Sequence, residues 1–352
     1  MLFRAAAVWA LALPLLTQAQ YAMVKEYIGE NFFNDWSFYG NADNLTNSDA
    51  FYVDSQQASQ SKLALVNEAG NAIMKVDNSS TLQFGQKRNS IRVSSKAKYT
   101  VGSLWIADIL HIPYGCSVWP AWWSSAPNWP DGGEIDTLEG VNLATMAHMG
   151  LHTEPGCTLA NSSVQTSTLI NSTDCSIFAD NNSGCIVTNP NTTSYGPAFA
   201  ATGGGIFVTE FATKGISIWF FPRSSIPASL QGNQSTIDTS TLGTPIGNWP
   251  SSGCNINQFF EPQELVFDIT LCGDYAGNPQ TFLQTCSGIC YDDFVLGPPS
   301  NFDTAYFEVQ YVRVYGQPGE LTVISSRAFR TADIAALFTL VVTGVSIFFL
   351  VL

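Results

Sequence analysis

Charge is the scarcest commodity in this chain. Only 12% of its 352 residues are charged, with 14 Lys and Arg against 28 Asp and Glu, about half the share usual in globular proteins. The net charge of -14 argues against nucleic acid and anionic lipid as principal partners, because both would be repelled. There is no CxxC pair, which argues against a zinc site built on that spacing. There is no internal repeat, no linker long enough to separate two domains, and no long helical period away from the two termini. Those absences exclude solenoids, two-domain arrangements and helical bundles. Disorder is excluded as well, since hydrophobic residues make up 45% of the chain and support a sizeable core. Polarity comes instead from Asn, Ser, Thr and Gly, which leaves neutral polymers such as polysaccharides as plausible partners.

Strand signals fill the middle of the chain. "SIRVSS" (90–95), "SLWIADILHI" (103–112), "GISIWFFP" (215–222), "ELVFDIT" (264–270) and "AYFEVQYVRVY" (305–315) are rich in β-branched and aromatic residues, and Gly, Pro, Asn and Ser bound them. Many short strands with Gly/Pro turns in one domain over 20–317 predict an all-β fold, a β-sandwich or jelly roll with its extra length in loops.

The ends read differently. Residues 1–19 carry a basic start, an apolar run and small residues before Ala19, the pattern of a cleaved secretory signal; a transmembrane anchor is the rival, but the run is short for a bilayer. The last eighteen residues, 335–352, are apolar to the end and follow a short spacer (318–334). No basic tail follows to set orientation, so the pattern resembles a GPI-attachment signal more than a retained membrane helix. Ser325 and Ser326 are the small residues available for attachment, and Arg327 directly after them is a poor match to that rule. A secreted, cell-surface location follows as the expectation.

Eight cysteines fit an oxidising compartment: Cys116, Cys157, Cys175, Cys185, Cys254, Cys272, Cys286 and Cys290. An even number predicts up to four disulfides, with the pairing open. Seven N-x-S/T sequons begin at Asn44, Asn78, Asn161, Asn171, Asn181, Asn191 and Asn233. Four of them crowd the stretch 161–193, which reads as an exposed, disulfide-pinned, glycosylated loop.

The segment "GGEIDTLEGVN" concentrates what little charge there is: Glu134, Asp136 and Glu139 lie within six residues. In a regular strand Glu134 and Asp136 share a face while Glu139 points the other way. One inserted residue, a β-bulge, returns Glu139 to their face. The two glutamates are then about four strand steps apart, roughly 13 Å between backbones. Inward-leaning side chains can close that gap toward the ~5–5.5 Å carboxyl spacing of a retaining glycosidase. Repulsion among three acids is expected to raise at least one pKa, leaving a proton donor beside an ionised carboxylate. A solvated acidic face is the bland reading, but the segment is too apolar for it. Calcium binding lacks the EF-hand spacing.

With its neighbour "GCSVWPAWWSSAPNWPDG", this segment resembles glycoside hydrolase family 16, in particular fungal endo-β-1,3(4)-glucanases, or laminarinases, which carry E-[IL]-D-x-x-E. "WIADILHIPYGC", "LHTEPGC", "SYGPAFAATGGGIF", "GISIWFFPRSSIP", "FDITLCGDYAG" and "AYFEVQYVRVYG" extend the likeness over nearly all of 25–316. The resemblance implies a concanavalin A-like jelly-roll β-sandwich with an open substrate cleft on its concave sheet. It also implies retaining hydrolysis of β-1,3- and mixed-linkage β-1,3(4)-glucans. It assigns Glu134 as nucleophile, Asp136 as its assisting acid and Glu139 as general acid/base. It places His152 near the nucleophile, Trp122, Trp123 and Trp129 around the sugar cleft, and Arg92 on substrate. Tyr275 stands where relatives commonly carry tryptophan, so a weakened or shifted sugar subsite is expected there.

Alternation along a strand lets only one of Trp122 and Trp123 touch sugar, and Trp119 is expected in the core. Arg92 could equally be a surface residue. His148 and His152 have helical zinc spacing, but their segment reads as strand and offers no third ligand, so no metal is expected. No cofactor is needed, since two carboxyls and water suffice. The expected partner is β-glucan, met by a monomer. Two other functions compete: a wall-remodelling transglycosylase sharing the covalent intermediate, whose relatives typically show the shorter E-x-D-x-E, and a non-catalytic glucan-binding protein, which should have lost a carboxylate.

Overall fold

A computed structural model describes residues 20–160, 164–320 and 322–324. The expected signal at 1–19, the sequon asparagine Asn161, both serines at 325–326 and the apolar tail at 335–352 lie outside these residues. Among the described residues no helix exceeds seven residues, and none is long and apolar enough to cross a membrane.

Two large antiparallel sheets, of nine and eight strands, face each other in a jelly-roll β-sandwich. The nine-stranded sheet is centred on Tyr306–Gly316, Ser103–His111, Gly205–Ala212 and Gly215–Pro222. Its Ser103–His111 strand is apolar on both faces. Trp105, Ala107 and Ile109 point into the main core, while Leu104 and Ile106 join a second cluster with Tyr21, Val208, Trp219 and Tyr315 on the sheet's other side. The run "SLWIADIL" is therefore continuous rather than alternating, as a strand covered on both sides requires.

The eight-stranded sheet runs Cys185–Thr188, His148–His152, Glu134–Glu139, Val118–Ser125, Gln263–Leu271, Arg92–Tyr99 and Trp36–Phe38, with Val323–Ile324 beside Arg92–Tyr99. Its strands alternate. Val93, Trp122, Ile135, Leu138, Met149, Leu151, Leu265, Phe267 and Ile269 enter the core, so Arg92, Trp123, Asp136, His148, His152 and Asp268 are left on the opposite face. The five strands expected from composition are all present, within a few residues of their expected ends.

Four disulfides, Cys116–Cys286, Cys157–Cys254, Cys175–Cys185 and Cys272–Cys290, supply the pairing that sequence left open. Cys185 opens the strand Cys185–Thr188, and the other seven cysteines lie in the connections between strands.

Candidate active site

The expected bulge is present in the acidic strand Glu134–Glu139. Against the tryptophan strand Val118–Ser125, Trp123 pairs with Asp136 and Trp122 with Leu138, so Thr137 is the extra residue. Against the histidine strand His148–His152, Glu134 faces His152, Asp136 faces Gly150 and Glu139 faces His148. Thr137 and Leu138 thus both turn inward. Thr137 is a polar residue in the core, and its hydroxyl is satisfied across the sandwich by Thr209 Oγ1 at 2.6 Å and by Trp105 Nε1, which donates at 3.4 Å. At the strand's entry Gly132 and Gly133 take φ of +80° and +73°, and a Cβ on Gly133 would sit 2.5 Å from the Phe260 ring. Only glycine fits both demands.

A cleft of about 890 Å³ runs over this face, lined by all three acids together with Arg92, Trp119, Trp123, Trp129, His148, His152, Asp268 and Tyr275. Each glutamate receives an indole N–H. Trp119 Nε1 donates to Glu139 Oε1 at 2.7 Å, and Trp129 Nε1 donates to Glu134 Oε2. His152 Nε2 lies 3.4 Å from Asp136 Oδ2. The Tyr275 hydroxyl is 2.9 Å from His148 Nδ1, and its ring meets Trp119 edge-on at 5.4 Å. The Arg92 guanidinium stacks between Trp123 at 5.1 Å and Tyr39 at 5.0 Å, which makes it a cleft residue rather than an ordinary surface arginine.

Protonation is arranged chiefly by burial. Burial pushes Asp136 well above the usual carboxylate range, helped by the charges of Glu134 and Glu139 and a hydrogen bond to Glu134. Burial lifts Glu139 to about 6, against the opposing effect of the Trp119 N–H. A raised pKa was expected from repulsion among the acids; desolvation is the larger cause. Burial also lowers His148 to about 4, so its ring is neutral near pH 7. Glu134, Asp136 and His152 bring potential ligand atoms within 4.8 Å of one another, a grouping that the sequence did not suggest, while the two histidines of zinc-like spacing lie on a strand, not a helix.

Two tryptophan expectations are corrected. Trp122 is fully buried and stacks on Phe267 at 4.2 Å, inside the core, so it is unavailable to sugar. Trp119, expected in the core, is a cleft residue bonded to Glu139. The cause is one parity: odd residues of the tryptophan strand face the cleft and Trp122 is even. The 161–193 stretch is likewise more than a solvent loop. Asn171, Ser172 and Asp180–Ser183 form a wall of the cleft, and Cys185–Thr188 adds a strand to the sheet. Of the sequon asparagines, Asn44, Asn171, Asn181 and Asn233 are exposed, while Asn78 and Asn191 are half-buried.

Sequence reasoning missed Asp268. It is buried, pairs with Arg92 on one side and Ala121 on the other, lines the cleft, and is raised to about 7 by burial. Its signal was present: an acid between Phe267 and Ile269 in a strand must face away from the core those two fill.

Comparison with known proteins agrees with this architecture. A family model described as XgeA-like, catalytic GH16 domain (GH16 being glycoside hydrolase family 16), matches residues 36–315. A probable glycosidase of Schizosaccharomyces pombe is 39% identical over 299 residues, covering 84% of this chain and 69% of that protein. A probable endo-1,3(4)-beta-glucanase of Aspergillus fumigatus is 40% identical over 320 residues, covering 87% of this chain and 47% of that protein; this chain thus matches about half the length of that glucanase. Among solved structures, laminarinase 16A of Phanerochaete chrysosporium, with beta-glucans in donor and acceptor sites, superposes with TM-score 0.81 at 34% identity, covering 84% of this chain and all of that one. An elongating GH family 16 beta-1,3-glucosyltransferase superposes with TM-score 0.75 at 37% identity, covering 84% and 99%.

Proposed function

Because this chain belongs to glycoside hydrolase family 16, we propose that it is a retaining endo-glycosidase acting on β-1,3- and mixed-linkage β-1,3(4)-glucans. One observation carries the reading. A bulged strand presents three carboxyl groups to one cleft, and their surroundings separate their protonation, with Glu139 lifted to about 6 and Asp136 well above its usual range. Glu134 attacks the anomeric carbon, forming the glycosyl–enzyme bond. Glu139 gives its proton to the departing glycosidic oxygen, then takes a proton from the water that cleaves the intermediate. Asp136 hydrogen-bonds Glu134 and so disperses its charge. Trp123 and Trp129 offer flat apolar faces to pyranose rings, with Arg92, His152 and Tyr275 as polar contacts.

The polymeric substrate suits an open cleft rather than a closed pocket. The domain responsible is 20–317. A cleaved signal at 1–19 and a lipid-attached tail after the 318–334 spacer would place it at the cell surface. Support for that location is the pattern of the two terminal sequences and the pairing of eight cysteines in four disulfides. Release from membranes by a phosphoinositide-specific phospholipase tests the anchor, and a protein that stays behind counts against it.

The deciding experiment offers the protein laminarin, lichenan and cellulose, following new reducing ends and product lengths beside a Glu134→Gln control. Shortened laminarin products that vanish in the control support the reading. Absence of turnover with retained glucan binding overturns it. A second reading, glucan transglycosylation, is favoured by the 37% identity to an elongating glucosyltransferase. It predicts longer products without net new reducing ends.

A further inference from the structure

His152 is gripped from both sides. Its Nε2 faces Asp136 Oδ2 at 3.4 Å, and its Nδ1 lies 3.1 Å from Asn182 Oδ1. Asn182 belongs to the segment closed by the Cys175–Cys185 disulfide, only ten residues apart in sequence. The backbone of this segment is curled tightly around the imidazole. Asp180, Asn181 and Asn182 have φ of +46°, +56° and +61° in succession, and Gly184 follows at +68°. A Cβ on Gly184 would come within 2.6 Å of His152 Nε2. The sequence "DNNSG" supplies what such a path needs, since Asx residues tolerate the left-handed region and glycine permits the close approach.

The geometry points to Asn182 as a positioning residue, whose side-chain oxygen accepts the Nδ1–H of His152 and so turns the Nε2 lone pair of that ring toward Asp136. An imidazole has two inequivalent nitrogens, and the partner of one fixes the task of the other. The acceptor on Nδ1 selects the neutral tautomer in which Nε2 can accept. Asp136, itself hydrogen-bonded to Glu134, then has two acceptors for one proton. When Glu134 is a free carboxylate, it holds the Asp136 proton. When Glu134 becomes a glycosyl ester it is a poorer acceptor, and Nε2 lies on the other side to receive the hydrogen bond. Asn182, His152, Asp136 and Glu134 thus form one line from the cleft wall to the reacting atom. The functional half of this inference rests on the glycosidase reading; the tautomer half does not.

The test uses the intact protein, whose 352 residues contain three histidines, so ring-nitrogen NMR signals are few and His152→Gln identifies those of His152. Asn182→Gly keeps the left-handed backbone free of steric cost and removes the acceptor. Asn182→Asp keeps an acceptor oxygen. Both variants preserve the Asn181-x-Ser183 sequon, so attachment at Asn181 is undisturbed. With the ring neutral, the wild-type protein is expected to carry its proton on Nδ1. Asn182→Gly loses that preference, and kcat on laminarin falls by about tenfold while KM stays within about twofold. Asn182→Asp restores the Nδ1–H signature and most of kcat. The inference is overturned by an Asn182→Gly ring spectrum identical to wild type. It is equally overturned by a loss seen only in KM or left unrescued by Asn182→Asp, since that marks a wall residue and no more. Should the wild-type protein turn over no glucan, the glycosidase reading fails, and the ring signals still decide whether Asn182 orients His152.

Discussion

The two ends of the acidic strand are built from the same parts and put to different use. Glu134 and Glu139 each receive one indole N–H, from Trp129 and Trp119 respectively, and each faces a histidine across the strand pair. At the Glu139 end the histidine is sealed: His148 is pushed down to about 4 by burial and bonded to the Tyr275 phenol. At the Glu134 end, His152 stands between an exposed asparagine and a buried acid. Identical residue types therefore do not set chemistry; the depth of burial and the next partner along do. A carboxyl pressed against neutral, buried rings keeps its proton to higher pH, as a general acid must. A carboxyl next to a proton-bearing acid has its charge shared, as a nucleophile must.

The largest effects should come from removing the carboxylates themselves. Glu134→Ala and Glu139→Ala are each expected to lower turnover by roughly 10³- to 10⁵-fold. Azide added with an activated aryl glucoside then tells the two ends apart. In Glu139→Ala it should attack the glycosyl–enzyme and give the β-azide after two inversions; in Glu134→Ala it should enter the vacated space and give the α-azide after one. Swapped products would reverse the assignment of the two ends.

A smaller effect concerns the indoles. The Trp119 N–H favours the ionised form of Glu139, so Trp119→Phe should raise that pKa above about 6 and carry the alkaline limb of the kcat/KM profile upward with it. Trp129→Phe should leave this limb in place. A limb that moves equally in both variants would erase the distinction between the ends.

Stability should show the same burial. Folding raises Glu139 from 4.5 to about 6 and Asp268 from 3.8 to about 7. In those windows the folded state binds more protons than the unfolded one, so each contribution is complete below the unfolded value and lost as pH rises to the folded value. Thermal midpoints should accordingly decline as pH rises through both windows, and Asp268→Asn should flatten the decline by a few degrees, on the order of a 1 kcal/mol change. A decline equally steep in the variant would show that Asp268 does not carry it.

The smallest effect is expected at Tyr275. Tyr275→Trp enlarges the ring beside Trp119 and removes the phenol from His148. Affinity for glucan oligomers, measured by titration calorimetry on a Glu134→Gln background, should rise by about two- to fivefold, a ring-stacking increment of about 0.5–1 kcal/mol. Unchanged affinity would mean that no sugar rests on this ring.

Much of this was readable in the residues. Three acids in an apolar segment called for a bulge, and the bulge is there, because Glu139 facing the core would bury a charge without a partner. The sandwich followed from β-branched runs between Gly/Pro turns. Parity in "VWPAWWSS" was not readable. Alternation says that neighbours face opposite ways but not which one faces in; that is decided across the sheet, where Trp122 meets Phe267 and Ala121 lies beside Asp268. The asparagine-rich wall escaped for a related reason. Its local composition is that of any exposed loop, and distant partners hold it at the cleft: Cys254 bonded to Cys157, and the His148–His152 strand on which Cys185–Thr188 pairs.

The bulge at Thr137 also has a genetic meaning. Without Thr137 the segment would read Glu-Ile-Asp-Leu-Glu, in which simple alternation already puts all three acids on one face. With it, both Thr137 and Leu138 turn inward, and the acidic strand gains a hydroxyl tie to Thr209 on the opposite sheet. No base substitution can carry a gene from one arrangement to the other. The step is the gain or loss of a whole codon.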